Sequence, residues 1–220
     1  MATKQFEQYT DWEIVEKINK GDTKLYEILI RRYNPPLYKI GRVYQYNHHD
    51  TEDLMQETYI SVFYSLPKFK NRASFKTWII RIMLNNCFQK KQKFSFKNET
   101  PVENIQSENT SPMFQQPVNT EETIMNKELG CVLENALYKI PEDYRMVFTL
   151  RELNGLSILE TTEALNITET NVKVRLNRAK KMLRSEIEKM YSPNDIFEFN
   201  LVYCDAMVIN VMNKIKTTSK

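Results

Sequence analysis

From Thr58 to Asn98 the chain carries nine Lys or Arg residues, nine Phe, Tyr or Trp residues, and no Asp or Glu. Cationic side chains neutralise phosphates and release condensed counterions, while aromatic faces stack on bases drawn out of a duplex. The mixture suits single-stranded or opened DNA or RNA better than intact duplex. Any one of these aromatics, taken singly, reads as a core residue of a helical domain. The missing acid sets the stretch apart, because a solvated face ordinarily mixes both signs.

Two other clusters carry charge in a pattern. Just upstream, Asp53, Gln56 and Glu57 stand at i, i+3 and i+4 and form a polar, acidic patch on one helix face. Far downstream, Asn171 to Arg184 holds six bases and no acid. Neither a nucleophile beside a base nor a cluster of metal-binding carboxylates suggests catalysis, so no cofactor and no metal are expected. Cys87, Cys131 and Cys204 are odd in number and widely spaced, which predicts free, reduced thiols. His48 and His49 are adjacent and are expected in a loop, not in a ligand set.

The elements that position these clusters are helical. The chain has only four glycines, and apolar residues recur at spacings of three and four. A first helix is predicted from Thr10, with Glu13 closing a capping box, to near Gly21. A second runs from Thr23 to Asn34, where Pro35 and Pro36 interrupt it, and a third from Leu37 to about Tyr46. The fourth, from about Thr51 to Leu66, buries Met55, Tyr59, Val62, Phe63 and Leu66. A fifth follows Ser74, burying Phe75, Trp78, Ile79, Ile82 and Met83 and turning Thr77, Arg81 and Lys91 away.

A linker rich in Pro, Asn, Gln, Ser and Thr follows, and from Glu99 to Glu128 it has six acids and one lysine. Two readings fit it: a solvated tether, or a strand lying against the basic segment as a nucleic-acid mimic. Beyond it, Leu129, Leu133, Ala136, Leu137 and Ile140 form a helix face that ends at Pro141. Tyr144, Val147, Phe148 and Arg151 belong to the next helix. Ser157 and Glu160 make a second capping box, Asn166 turns the chain in the left-handed conformation, and Thr168 caps a longer basic helix. Short helix, tight turn and basic helix is the helix-turn-helix pattern, whose second helix fits the DNA major groove. Within that helix Val172, Leu176, Ala179 and Leu183 face inward, and Asn171, Val174, Arg175, Arg178 and Lys181 face outward.

The expected fold is therefore all-α: two small helical domains joined by a flexible acidic linker, with a C-terminal amphipathic tail. The boundaries are 1–92, 93–125 for the linker, 126–191 for the helix-turn-helix domain, and 192–220 for the tail. The formal net charge of +3 places the basic character in segments. No apolar stretch approaches the roughly 18 residues that span a bilayer, and Met1 to Glu13 lacks the apolar core of a signal peptide, so a cytoplasmic location without membrane insertion is expected.

Two blocks resemble one family. "DTEDLMQETYISVFYSLPKFKNRASFKTWIIRIMLNN", Asp50 to Asn86, is similar to region two of bacterial RNA polymerase sigma factors of the compact extracytoplasmic-function type. "LYKIPEDYRMVFTLRELNGLSILETTEALNITETNVKVRLNRAKKMLR", Leu137 to Arg184, is similar to their region four. The likeness extends from about Asp11 to Arg184 and implies a promoter-specificity subunit without catalysis of its own, serving a stress- or signal-responsive gene set. Its implied partners are core RNA polymerase, promoter DNA and an anti-sigma factor.

By that resemblance Asp53, Gln56 and Glu57 bind core polymerase. Phe69, Lys70, Asn71, Arg72, Ser74, Phe75, Lys76, Trp78, Arg81, Asn85, Asn86, Lys90 and Lys91 serve the melted −10 element, with Trp78 open to a core role as well. Thr168, Thr170, Asn171, Lys173, Val174, Arg175, Arg178 and Lys181 serve the −35 element. Arg175 and Arg178 either read guanine or hold phosphate. Asn166 departs from the family, standing where a glycine is common. The rival reading is a conventional helix-turn-helix regulator that acts without joining the polymerase.

The tail adds a feature of its own. Cys204, Met207, Val208, Val211, Met212 and Ile215 form an apolar stripe, preceded by Phe197 and Phe199. Such a surface docks either on the protein's own domains or on a regulator.

Overall fold

The computed structural model describes residues 9–97, 122–190 and 207–212, without the side chains of 94–97, 122–128 and 190. The linker residues 98–121, Phe197, Phe199, Cys204 and Ile215 lie outside the described residues. Eight α-helices follow in order among the described residues: α1 (Asp11–Asn19), α2 (Tyr26–Val43), α3 (His48–Ser65), α4 (Phe75–Lys97), α5 (Glu122–Tyr138), α6 (Glu142–Phe148), α7 (Ile158–Leu165) and α8 (Glu169–Met190). The chain divides into two compact units, 1–183 and 184–220. In the second unit, Arg184 pairs with Glu188 at 2.6 Å, and Met207, Val208, Ile209, Val211 and Met212 stand exposed on a helical turn at 207–212.

Helix α1 starts as its sequence dictates. The Thr10 hydroxyl accepts the Glu13 N–H and the Glu13 carboxylate accepts the Thr10 N–H, which satisfies two otherwise orphaned donors. Helix α2 departs from expectation. It runs unbroken through Pro35 and Pro36, joining the separate helices that the prolines suggested. A proline inside a helix costs about 3 kcal/mol or more. The offset comes from packing: Leu29, Tyr33, Leu37 and Ile40 continue one buried stripe across the prolines. Each such side chain contributes about 1.5–3 kcal/mol on burial.

Helix α3 also begins earlier than expected. The Asn47 side chain accepts the Asp50 N–H at 2.8 Å, so His48 and His49 form the first helical turn and are not loop residues. Helices α2 and α3 meet closely at Gly41, where a Cβ would run into the Thr51 side chain. Thr77, expected to face away from the core, is fully buried on α4. Ile80, Leu84 and Cys87 join Ile79 and Met83 in widening the buried face of that helix.

In the second domain Ala136, Leu137 and Ile140 are buried, whereas Leu129 is exposed instead of extending that face. Arg145 closes α5 by donating to the carbonyls of Tyr138 and Ile140 at 3.0 and 3.3 Å, while its guanidinium lies over the Tyr138 ring. After α6 the chain widens into a π-helical turn at Thr149–Leu153. Gly155, at φ +66°, then lets the Leu156 N–H reach back to the Leu150 carbonyl. Met146, Leu150 and Leu156 belong to the same apolar cluster as the core of α1–α4, so the two domains share a seam.

Candidate nucleic-acid interface

The basic loop between α3 and α4 is held by its aromatics. Phe69 packs 4.8 Å from Trp78, 5.6 Å from Phe75 and 6.0 Å from Trp12, ring centre to ring centre. Phe75 in turn meets Tyr33 at 5.4 Å. Phe69 and Phe75 are buried and Trp78 half-buried, which leaves Lys70, Asn71 and Arg72 exposed at the loop tip. Asn71 takes a positive φ of 51°, a conformation that asparagine tolerates. Ser74 caps α4, its hydroxyl accepting the Thr77 N–H at 3.1 Å.

Along α4, Arg81 and Asn85 are exposed on one face, and Phe88, not foreseen from the sequence, continues it at 53% exposure. Phe88 stands four residues after Leu84 and eight after Ile80, in phase with the buried residues, so periodicity gave no signal of its exposure. Asn86 turns inward and donates to the Thr58 hydroxyl at 3.0 Å. Lys90 pairs with Asp50 at 2.6 Å and lies over the Tyr46 ring, and Lys91 pairs with Glu142 at 2.6 Å.

The helix-turn-helix forms from α7 and α8. Ser157 and Glu160 complete the capping box of α7, and Asn166 adopts the left-handed conformation, φ 52° and ψ 48°. The Thr168 hydroxyl accepts the Asn171 N–H at 3.2 Å. Thr168, Thr170, Asn171, Lys173, Val174, Arg178 and Lys181 are exposed, while Val172 and Ala179 are buried. Arg175 is half-buried and pairs with Asp143 at 3.2 Å, and Arg178 donates to the Tyr144 hydroxyl at 3.3 Å. These partners aim both guanidiniums from the α6 side of the recognition helix.

Helix α3 presents a different face. Asp53, Gln56 and Glu57 are exposed on the turns opposite the buried Leu54, Met55 and Thr58. Ile60 and Tyr64, exposed at 59% and 77%, continue the same stripe. An apolar residue out of phase with the core was their sequence signal. The face is thus acidic at one end and apolar at the other, a composition for a protein partner.

Part of the basic loop region is already engaged. Glu160 accepts from the hydroxyls of Ser74 and Thr77 at 3.0 and 3.2 Å, and Lys76 donates to the Asn154 carbonyl. Hydrogen bonds from the Ser157 backbone and then from the three hydroxyls hold the Glu160 carboxyl below its ordinary range, against the opposing effect of burial. Lys39 donates to the Leu153 carbonyl at 3.0 Å; its pKa is lowered by burial and by the charge of Lys76. Among the described residues, no group of three or more His, Cys, Asp or Glu side chains could hold a metal ion.

Comparison with known proteins places this architecture. Residues 29–93 match the family description "Sigma-70 region 2", and residues 132–183 match "Sigma-70, region 4". The chain belongs to the sigma-70 family of bacterial RNA polymerase sigma factors, in its extracytoplasmic-function branch. It is 29% identical over 190 residues to the ECF RNA polymerase sigma-E factor of Haemophilus influenzae, covering 84% of this chain and 98% of that protein. The sigma-E factor of Escherichia coli K12 is also 29% identical over 190 residues, with 84% and 97% covered.

Among solved structures, the sigma factor RpoE of Bartonella quintana, determined with the anti-sigma factor NepR, superposes with a TM-score of 0.58. That match has 20% identity and covers 76% of this chain and 97% of that one. CnrH, determined with the cytosolic domain of CnrY, gives a TM-score of 0.58 at 18% identity, covering 81% and 97%. Both likenesses concern the fold.

Proposed function

We infer that this sigma factor joins core RNA polymerase through the α3 face, grips melted −10 DNA with the loop and outer face at the start of α4, and reads the −35 duplex with α8. The observation that carries the reading is the separation of chemistries on one chain. A helix face of carboxylates and apolar side chains suits a protein partner, whereas the exposed loop Lys70–Arg72 and the exposed face of α8 suit phosphates and bases. Phe69 and Phe75 act by holding the loop, not by stacking on DNA, and Trp78 and Phe88 are the aromatics left to meet bases.

The protein directs initiation and carries no reaction of its own; the polymerase supplies the chemistry. It works in the cytoplasm, where the polymerase is, and a protein inhibitor of the anti-sigma kind is a fitting partner. No helix among the described residues is long and apolar enough to cross a membrane.

The test is transcription in vitro from a pool of genomic promoters with purified core polymerase, with and without this chain. New transcripts that need both components and share elements near −35 and −10 are the expected result. Binding of the chain alone to duplex sites, with no transcript, would instead support a conventional regulator.

A further inference from the structure

Helix α8 turns an apolar side chain outward at the middle of its polar face. At ~100° per residue, Val174 lies about 200° around the helix from the buried Val172 and about 220° from the buried Ala179, so it stands at the crest of the exposed face. It is 41% exposed. Its four neighbours on that face, Thr170 and Asn171 one turn before it and Asn177 and Arg178 one turn after, are exposed and polar. The cations around it have protein partners: Lys173 pairs with Glu169 at 3.6 Å, Arg175 with Asp143 at 3.2 Å, and Arg178 donates to the Tyr144 hydroxyl at 3.3 Å. The crest is thus an uncharged apolar point inside a polar ring.

A single exposed apolar residue is ordinary on a protein surface; what makes this one informative is its place. A recognition helix meets base edges with the residues near its N-terminus, and Val174 is the sixth residue of α8. In the major groove every base edge presents hydrogen-bonding groups, from which an apolar side chain removes water without replacing the bond, at a cost in free energy. Thymine alone also presents an apolar group there, its C5-methyl. A valine at the crest therefore gains by meeting thymine and loses by meeting cytosine, whose N4 amino group it leaves unpaired.

We propose that Val174 is a specificity-determining residue of the −35 contact: it packs on the C5-methyl of a thymine in the duplex and so selects a T·A pair at one position of the element. The inference rests on the reading of α8 as the helix that enters the −35 duplex. Thr170 and Asn171 on one side, and Asn177 and Arg178 on the other, stand about 4.5–6 Å from Val174 along the helix axis, against ~3.4 Å per base pair. They reach the pairs on either side, where their amide, hydroxyl and guanidinium groups make hydrogen bonds. One position of the element thus depends on a methyl group, and its neighbours on hydrogen bonds.

The experiment uses the full chain with core polymerase. Transcription in vitro from a promoter library randomised across −35, read by sequencing, identifies the element. It is expected to hold a thymine whose replacement by deoxyuridine, which removes the methyl and nothing else, lowers initiation about three- to fourfold, the effect of losing one buried methyl contact. Val174→Ala should lose about the same factor on the thymine template and nothing further on the deoxyuridine template, because each change removes the same contact. Val174→Ile should keep the methyl dependence. The side chain is exposed and alanine is the better helix former, so Val174→Ala leaves the fold intact. A methyl effect of equal size in the valine and alanine proteins overturns the proposal, as does a −35 element with no methyl-sensitive thymine; both leave α8 as the −35 reader. A library that gives no chain-dependent transcripts, or transcripts with no shared −35 sequence, overturns that reading and the proposal with it.

Discussion

Arg42 and Glu134 come from sequence positions 92 residues apart and form two hydrogen bonds, from Nε at 3.0 Å and from Nη2 at 2.6 Å, where solvent scarcely reaches. The Tyr138 hydroxyl donates to the same carboxylate. Removing one partner of a buried pair costs about 3–5 kcal/mol when the other charge has no escape. Here there is an escape, because parting the domains returns Arg42 to water. Glu134→Ala should therefore separate the domains without unfolding either. Calorimetry should resolve one melting transition into two, and a single transition lowered by the full penalty would mean that the domains cannot part.

Gly41 is where α2 and α3 come closest. Gly41→Ala should destabilise the first domain by about 1–3 kcal/mol, because the added methyl meets Thr51. The Thr51 hydroxyl is buried without a hydrogen-bond partner, so Thr51→Ala sheds an unsatisfied group and makes room. The double variant should recover most of the loss in urea titrations.

Acid should loosen the start of α7 and the seam together. The folded-state pKa of Glu160 is depressed, so its contribution is fully present above the ordinary carboxylate value of about 4.3 and is lost as pH falls through the lower folded value. Urea midpoints measured from pH 6 down to pH 3 should fall less steeply for Glu160→Gln than for the unsubstituted protein. Equal slopes would show that the carboxylate does not set the acid limb.

Two cysteines should differ in reactivity. Burial pushes the Cys87 thiol up to about 12, opposed by the charge of Lys90, whereas Cys131 is exposed on α5. Iodoacetamide at pH 8 should alkylate Cys131 within minutes and spare Cys87 until denaturant is added, as read by peptide mass analysis.

On the proposed docking face, Tyr64→Ala should weaken polymerase binding without affecting binding of single-stranded DNA, as should charge reversal at Asp53 and Glu57. Surface plasmon resonance on immobilised core polymerase separates the two effects. Polymerase affinity unchanged in all three variants would remove α3 from the docking face.

What the sequence disclosed was local. Thr10 with Glu13, Ser157 with Glu160, and Asn166 in the left-handed turn are short-range devices whose partners lie three residues away or nearer, and each takes the expected form. The misreadings come where distant packing overrides local preference. Pro35 and Pro36 sit inside a helix because the buried stripe on either side of them holds it together, and Thr77 is buried because Glu160, 83 residues on, supplies its partner. The partners of Arg42, Lys39 and Lys76 were illegible for the same reason. Nothing in the spacing of a lone basic residue says which carbonyl or carboxylate will come to meet it.

Glu160 carries a consequence for genetics. The same carboxylate starts α7 and fastens the seam, so replacements other than glutamine disturb both at once. A screen for variants whose two domains part should seldom recover Glu160, since most replacements would weaken the reader helix pair along with the seam. It should gather instead at Lys39 and Glu142, whose side chains reach across the seam without capping a helix of their own. The map of permissive positions would then trace the boundary between domains from mutant frequencies alone.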